Sequence, residues 1–235
     1  MISSICRSAV LVLVISAVTV PGAERSALEW LDVMNRAFRT LDYDGVFSYQ
    51  SGAGLTTLRL VHVVIDGIEH ERIIHLDGAR REFVRRGREI TRILQPKDKI
   101  LELEKAVPPT PFVQAFSSRL DAIGDVYKVE LNGLGRVAGR RAIRLRIVPR
   151  DEDRYGVGIW LDHATGLLLR YERYDLQGSR LEGFQFGHLT IGDIPRTAVI
   201  PEEHAGAVTT KWKLESRGEF PVERPMHWRP QWVPR

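Results

Sequence analysis

The chain has 235 residues, of which 43% are hydrophobic and 27% charged, and its formal net charge is +4. Its one cysteine, Cys6, excludes a disulfide framework within the chain and any centre built from several thiolates. A fold without such staples must be held by its core, and about 210 residues behind a leader suffice, burying roughly 70% of the unfolded chain's surface.

The leader is the first element. Arg7 precedes an apolar run over residues 9–20, and the small residues Gly22 and Ala23 follow. This is the layout of a secretory signal peptide over residues 1–23, too short for a comfortable membrane span of about 20 apolar residues. Cys6 leaves with it, so the exported chain is expected to hold no thiol nucleophile. Export sets nucleic acid aside as a partner despite a pI near 9.4. Anionic lipid surfaces or acidic protein segments suit the basic balance better, and the expected compartment is the periplasm.

Residues 24–215 read as one mainly β unit with two or three helices and roughly nine to eleven strands. Ser26 and Glu29 form a capping box, and Leu28, Leu31, Met34, Phe38 and Leu41 then recur at helical spacing, predicting a helix over 27–41. From Val46 the period changes to that of strands. Segments 55–65 and 68–76 flank Asp66-Gly67, the signature of a two-residue type I′ hairpin. That turn pairs His62 with Glu71, Leu60 with Ile73 and Val63 with His70. Both faces of this hairpin are partly apolar, as in a sheet covered on one side and curved around something on the other.

Strands are expected at 81–86, 89–94 and 100–103. Prolines at 108, 109 and 111 then lead into a short amphipathic helix carrying Phe112, Phe116, Leu120 and Ile123. Strands resume at 127–131, 135–138 and 141–148, where Ile143, Leu145 and Ile147 face one way and Arg144 and Arg146 the other. From Arg154 to Phe186 the order is strand, tight turn, strand, tight turn, strand, with turns at 162–166 and 175–178. One more strand is expected at 211–214. After it, residues 216–235 carry Pro221, Pro225, Pro230, Pro234, Trp228 and Trp232, a composition outside regular structure that reads as the start of a further domain.

No catalytic, cofactor or metal constellation emerges. His70 and His75 are one residue too far apart for a helical zinc motif and lie on opposite faces of a strand. The glycines of 133–139 miss the dinucleotide fingerprint and read as strand ends around a hairpin. Asp151-Glu152-Asp153 reads as an acidic turn. Two features point to binding. An apolar cavity lined by Phe47, Tyr49, Phe112, Phe116 and Trp160 is expected to take lipid chains. The basic clusters containing Arg80, Arg81 and Arg85 and containing Arg144 and Arg146 are expected to meet an anionic partner.

Several segments in order carry a resemblance: Leu41-Asp42-Tyr43-Asp44-Gly45-Val46-Phe47, Leu76-Asp77-Gly78-Ala79-Arg80-Arg81-Glu82, Ile159-Trp160-Leu161-Asp162, Gly166-Leu167-Leu168-Leu169-Arg170 and Trp228-Arg229-Pro230-Gln231-Trp232-Val233-Pro234. Together they resemble the RseB/MucB family of periplasmic sigma-E regulators. The resemblance implies a half-open antiparallel β-barrel similar to LolA and LolB, with an apolar cavity for lipid or lipoprotein acyl chains. It also implies binding to the periplasmic domain of the anti-sigma factor RseA/MucA and control of its proteolysis. A lipoprotein or lipid carrier of the LolA/LolB type is the alternative from the same likeness.

Overall fold

The computed structural model describes residues 25–94, 124–202 and 207–213. The expected leader, the strand at 100–103, the helix bearing Phe112 and Phe116, and the tail at 216–235 lie outside the described residues.

Helix α1 spans Ala27–Thr40. Glu29 N donates to Ser26 Oγ at 3.3 Å, and Ser26 N donates back to Glu29 Oε2 at 2.6 Å, closing the expected capping box. The buried arc is Trp30, Leu31, Met34, Ala37 and Phe38. Leu28 was expected in that stripe but is half exposed: at 100° per residue the arc centres between Trp30 and Phe38, and Leu28 falls beyond its edge.

Eleven strands follow among the described residues: β1 Tyr43–Ser51, β2 Gly54–Ile65, β3 Ile68–His75, β4 Arg81–Arg86, β5 Glu89–Leu94, β6 Tyr127–Val137, β7 Arg140–Pro149, β8 Gly156–Asp162, β9 Leu168–Tyr174, β10 Arg180–Ile191 and β11 Val208–Lys213. They form one open antiparallel sheet in the order β11-β5-β4-β3-β2-β1-β10-β9-β8-β7-β6. The β2–β3 register pairs His62 with Glu71, Leu60 with Ile73 and Val63 with His70. Asp66 and Gly67 both adopt positive φ, as the type I′ turn requires. The two strands expected at 127–131 and 135–138 are one, β6, carrying a register shift between Leu131 and Leu134.

β1 begins at Tyr43, before the change of period at Val46, because Gly45 belongs to the strand. A Cβ there would lie 2.7 Å from the Phe186 ring, so the glycine makes room for that ring in the neighbouring strand.

The two faces of the sheet are covered differently. One shares the main core with α1, through Leu31, Met34 and Phe38 packed with Phe47, Leu60, Leu145, Ile159, Leu161 and Phe186. On the other, a strap of chain carrying Ile194 and a 3-10 turn, Arg196–Val199, covers Val61 and Val63. Arg72 fastens it: buried against Glu82 at 2.8 Å, it donates through Nη1 to the carbonyls of Ala198 and Ile200 at 3.4 and 3.0 Å.

Candidate ligand and partner surfaces

On the helix-facing side, cross-strand pairing aligns Phe186, Phe47, Leu58 and His75 across β10, β1, β2 and β3. A second row aligns Ile159, Tyr171, Phe184 and Tyr49 across β8, β9, β10 and β1. The rings meet edge to face: Phe47 lies 5.6 Å from Phe184 and 5.5 Å from Phe186. Phe47 is buried and Tyr49 partly so. The Tyr49 hydroxyl donates to Glu182 Oε2 at 3.0 Å, and burial together with that carboxylate raises its pKa above the usual tyrosine value.

The Phe47 row ends in a polar corner. His75 stands 6.2 Å from the Phe83 ring, and burial, reinforced by Arg81, pushes its pKa from 6.5 down to about 4. His75 Nδ1, Arg81 Nε and Arg92 Nε are buried with no hydrogen-bond partner among the described residues. Buried polar atoms without partners are costly, and the apolar row thus ends at a polar corner.

Trp160, expected in the same lining, belongs to the same buried cluster as Phe47 but stands on the other face of β8. Pairing sets Trp160 beside Arg144 and Arg170, on the face opposite Ile159 and Tyr171. The Arg170 Cζ lies 4.4 Å and the Arg144 Cζ 5.0 Å from the Trp160 ring centroid, a cation–π pair on one indole. Next to it, Glu172 accepts hydrogen bonds from Arg170, from Tyr174 and, at 3.3 Å, from Arg180. Burial opposes its ionisation, but the hydrogen bonds from Tyr174 and Arg170 hold its pKa below the ordinary carboxylate value. Ser48, Gln50, Leu55, Arg170, Arg180 and Gln185 border a groove of about 120 Å³ on this face.

The two basic clusters differ in what occupies them. Arg85, with a side chain 13% exposed, bonds Glu71 and Glu69, each at 2.8 Å. Arg80 bonds Glu82 at 3.2 Å and Glu202 at 2.8 Å. Both serve carboxylates of the fold, contrary to the expectation that they await an external anion. Arg144 and Arg146 are exposed.

Sequence reasoning missed Arg170, Glu172, Tyr174 and Arg180. The signal was present in Arg170-Tyr171-Glu172-Arg173-Tyr174, where period 2 puts the first, third and fifth on one face.

The MucB/RseB N-terminal domain model matches residues 26–207. The sigma factor AlgU regulatory protein MucB of Pseudomonas aeruginosa is 31% identical over 229 residues, covering 97% of this chain and 69% of that protein. The sigma-E factor regulatory protein RseB of Haemophilus influenzae is 30% identical over 170 residues, covering 72% and 54%. The Pseudomonas aeruginosa MucA/MucB complex superposes with a TM-score of 0.65 at 28% identity, over 88% of this chain and 66% of that one. MucB in complex with MucA(peri) gives 0.61 at 29% identity, over 88% and 65%. The chain thus spans about half the length of the RseB relative and about two thirds of MucB.

Proposed function

The chain belongs to the MucB/RseB family, and from that premise we propose that it is a periplasmic negative regulator of sigma-E-type envelope stress signalling. It binds the periplasmic segment of a membrane-bound anti-sigma factor and shields that segment from the protease that begins its destruction. In this reading residues 1–23 direct export, 24–215 form the domain described here, and 216–235 lead toward a second domain. The carrying observation is that the relatives solved with MucA share the fold over 88% of this chain. The role is binding and not catalysis.

The signal in this proposal is a lipid or lipoprotein acyl chain. It enters on the helix-facing side along Phe47 and Tyr49; Phe112 and Phe116, expected in the same lining, lie outside the described residues. The aromatic row ending at His75 and Arg81 supports this. Lipid and anti-sigma segment then oppose each other through one conformational equilibrium, each weakening the other by the same factor.

The test is a pull-down with the periplasmic segment of the cognate anti-sigma factor, joined to a protease-protection assay and native mass spectrometry of the purified protein. Protection of the segment, relieved by a stoichiometric acyl ligand, is the expected result. Absence of protection at micromolar protein with the fold intact defeats the proposal.

A further inference from the structure

We infer that the face of β7–β10 turned away from α1 is a docking site for an extended acidic peptide, with Arg144 and Arg146 as its carboxylate receptors. The inference rests on the reading above only for the partner's identity, the natural occupant being the anti-sigma segment.

The first ground is uncompensated charge. Arg144, Arg146, Arg170 and Arg180 lie on this face, and Glu172 is the carboxylate bonded among them. Glu130, the cross-strand neighbour of Arg146, is held by Lys128 at 2.6 Å. Asp162 is held by Arg140 at 2.6 Å. Arg144, Arg146 and Arg180 are thus exposed and Arg170 half-buried, with buried Glu172 bonded to Arg170 and Arg180 and with Glu130 beside Arg146 as the carboxylates near them.

The second ground is geometry. The Arg144 guanidinium lies over the Trp160 ring, its Cζ 5.0 Å from the centroid, and a guanidinium held against an aromatic face can still offer its N–H groups to a carboxylate in a bidentate contact. The indole thereby fixes Arg144 in place before any ligand arrives, which lowers the entropy cost of binding. Arg170, the neighbour of Trp160 on β9, spends its N–H groups on Glu172, so the receptor role falls to Arg144. Arg146 follows two residues along the same strand, about 7 Å away at strand spacing. An extended peptide repeats its side chains at that same interval, so acidic residues at alternate positions match the pair.

The third ground is relief. Gly158 and Gly183 are the cross-strand neighbours of Glu172 on either side. A Cβ at Gly158 would press on Trp160 at 3.2 Å, and one at Gly183 would meet the Tyr171 carbonyl at 2.6 Å. Their missing side chains make room for the Trp160 and Tyr174 rings and for the Glu172 side chain, and Gly183 also borders the polar groove of Gln50 and Gln185 beside the arginine row.

The experiment measures binding by fluorescence anisotropy at two salt concentrations, using the full chain. The probes are a labelled peptide with Glu at alternate positions, its Gln counterpart, the cognate anti-sigma segment, and phosphatidylglycerol vesicles. The expected result is salt-sensitive binding of the Glu peptide and of the anti-sigma segment, weakened about tenfold by Arg144→Gln with Arg146→Gln. The Gln peptide binds weakly, and Arg36→Gln with Arg196→Gln, an equal loss of charge elsewhere, leaves affinity unchanged. Circular dichroism confirms that both double variants remain folded. If the anti-sigma segment binds the receptor variant as tightly as the parent, the docking site is overturned while the regulatory reading stands. If the Glu peptide binds through these arginines and the anti-sigma segment does not bind at all, the site stands and the regulatory reading falls. Arginine-dependent binding to vesicles without binding to the Glu peptide overturns the peptide assignment.

Discussion

Val33 of α1 fills the space that a side chain at Gly166 would occupy: a Cβ on Gly166 would lie 2.3 Å from Val33 Cγ1. Gly166 closes the turn between β8 and β9 at φ +78°, so it combines a left-handed backbone with contact against the helix. Gly166→Ala is expected to destabilise the fold by about 2–4 kcal/mol, from strain and overpacking together. Gly178→Ala, also at positive φ but with open space around it, should cost only about 1 kcal/mol. Urea denaturation of both variants makes the comparison; equal losses would show that α1 does not rest on the β8–β9 turn.

The Arg72–Glu82 pair is buried, with side chains 7% and 2% exposed. Removing Arg72 leaves buried Glu82 with Arg80 as its remaining cation, and removing Glu82 strands the Arg72 charge under the strap. Arg72→Ala is expected to cost about 3–5 kcal/mol, whereas Arg72→Met with Glu82→Leu should cost much less. Limited proteolysis should cut near Ile200 in the Arg72→Ala protein and spare the parent, because the carbonyls of Ala198 and Ile200 lose their donor.

His75 makes stability depend on pH. Its pKa in the fold is about 4 against an ordinary 6.5, through burial and then Arg81, with Asp77 acting the other way. Between these values the unfolded chain takes up a proton that the fold refuses. The contribution is complete above pH 6.5 and is lost progressively as pH falls toward 4. Urea midpoints between about pH 7.5 and about pH 5 should fall less steeply in His75→Phe than in the parent. Identical slopes would remove His75 from the account.

Phe47 and Tyr49 should separate into packing and polar contributions. Phe47→Ala removes a buried ring from contact with Phe184 and Phe186 and is expected to cost about 3–5 kcal/mol. Tyr49→Phe loses only the hydroxyl's bond to Glu182, costing about 1 kcal/mol. If Tyr49→Phe instead unfolds the protein, the polar end of this row is structural.

The β2–β3 hairpin was legible because Asp-Gly favours one turn, and that turn permits one register. Trp160 shows where the reading failed. Alternation along β8 already separated it from Ile159 and Leu161, yet its relation to Phe47 depends on two intervening strands and the register shifts at Trp160/Leu161 and Val46/Phe47. A single strand's pattern cannot carry parity across such bulges. Arg80 and Arg85 were misread for a related reason. The carboxylates of Arg85 come from β3 and are revealed by cross-strand pairing, while those of Arg80 come from Glu82 two residues on and from Glu202 beyond the strap. The strap itself has too few apolar residues to announce its burial against Val61 and Val63.

The β1–β10 ladder also governs how the molecule is assembled. Strands β2 to β5 and β6 to β10 are each runs of neighbouring hairpins, and β1 with β10 is the stitch between them. The chain then doubles back as the strap and lays β11 beside β5, a strand completed half a chain earlier. The two halves are therefore sewn once and buckled once. The buckle cannot fasten until β11 has emerged, so closure comes after every hairpin it joins, and its long sequence separation makes this stitching the slow step of folding.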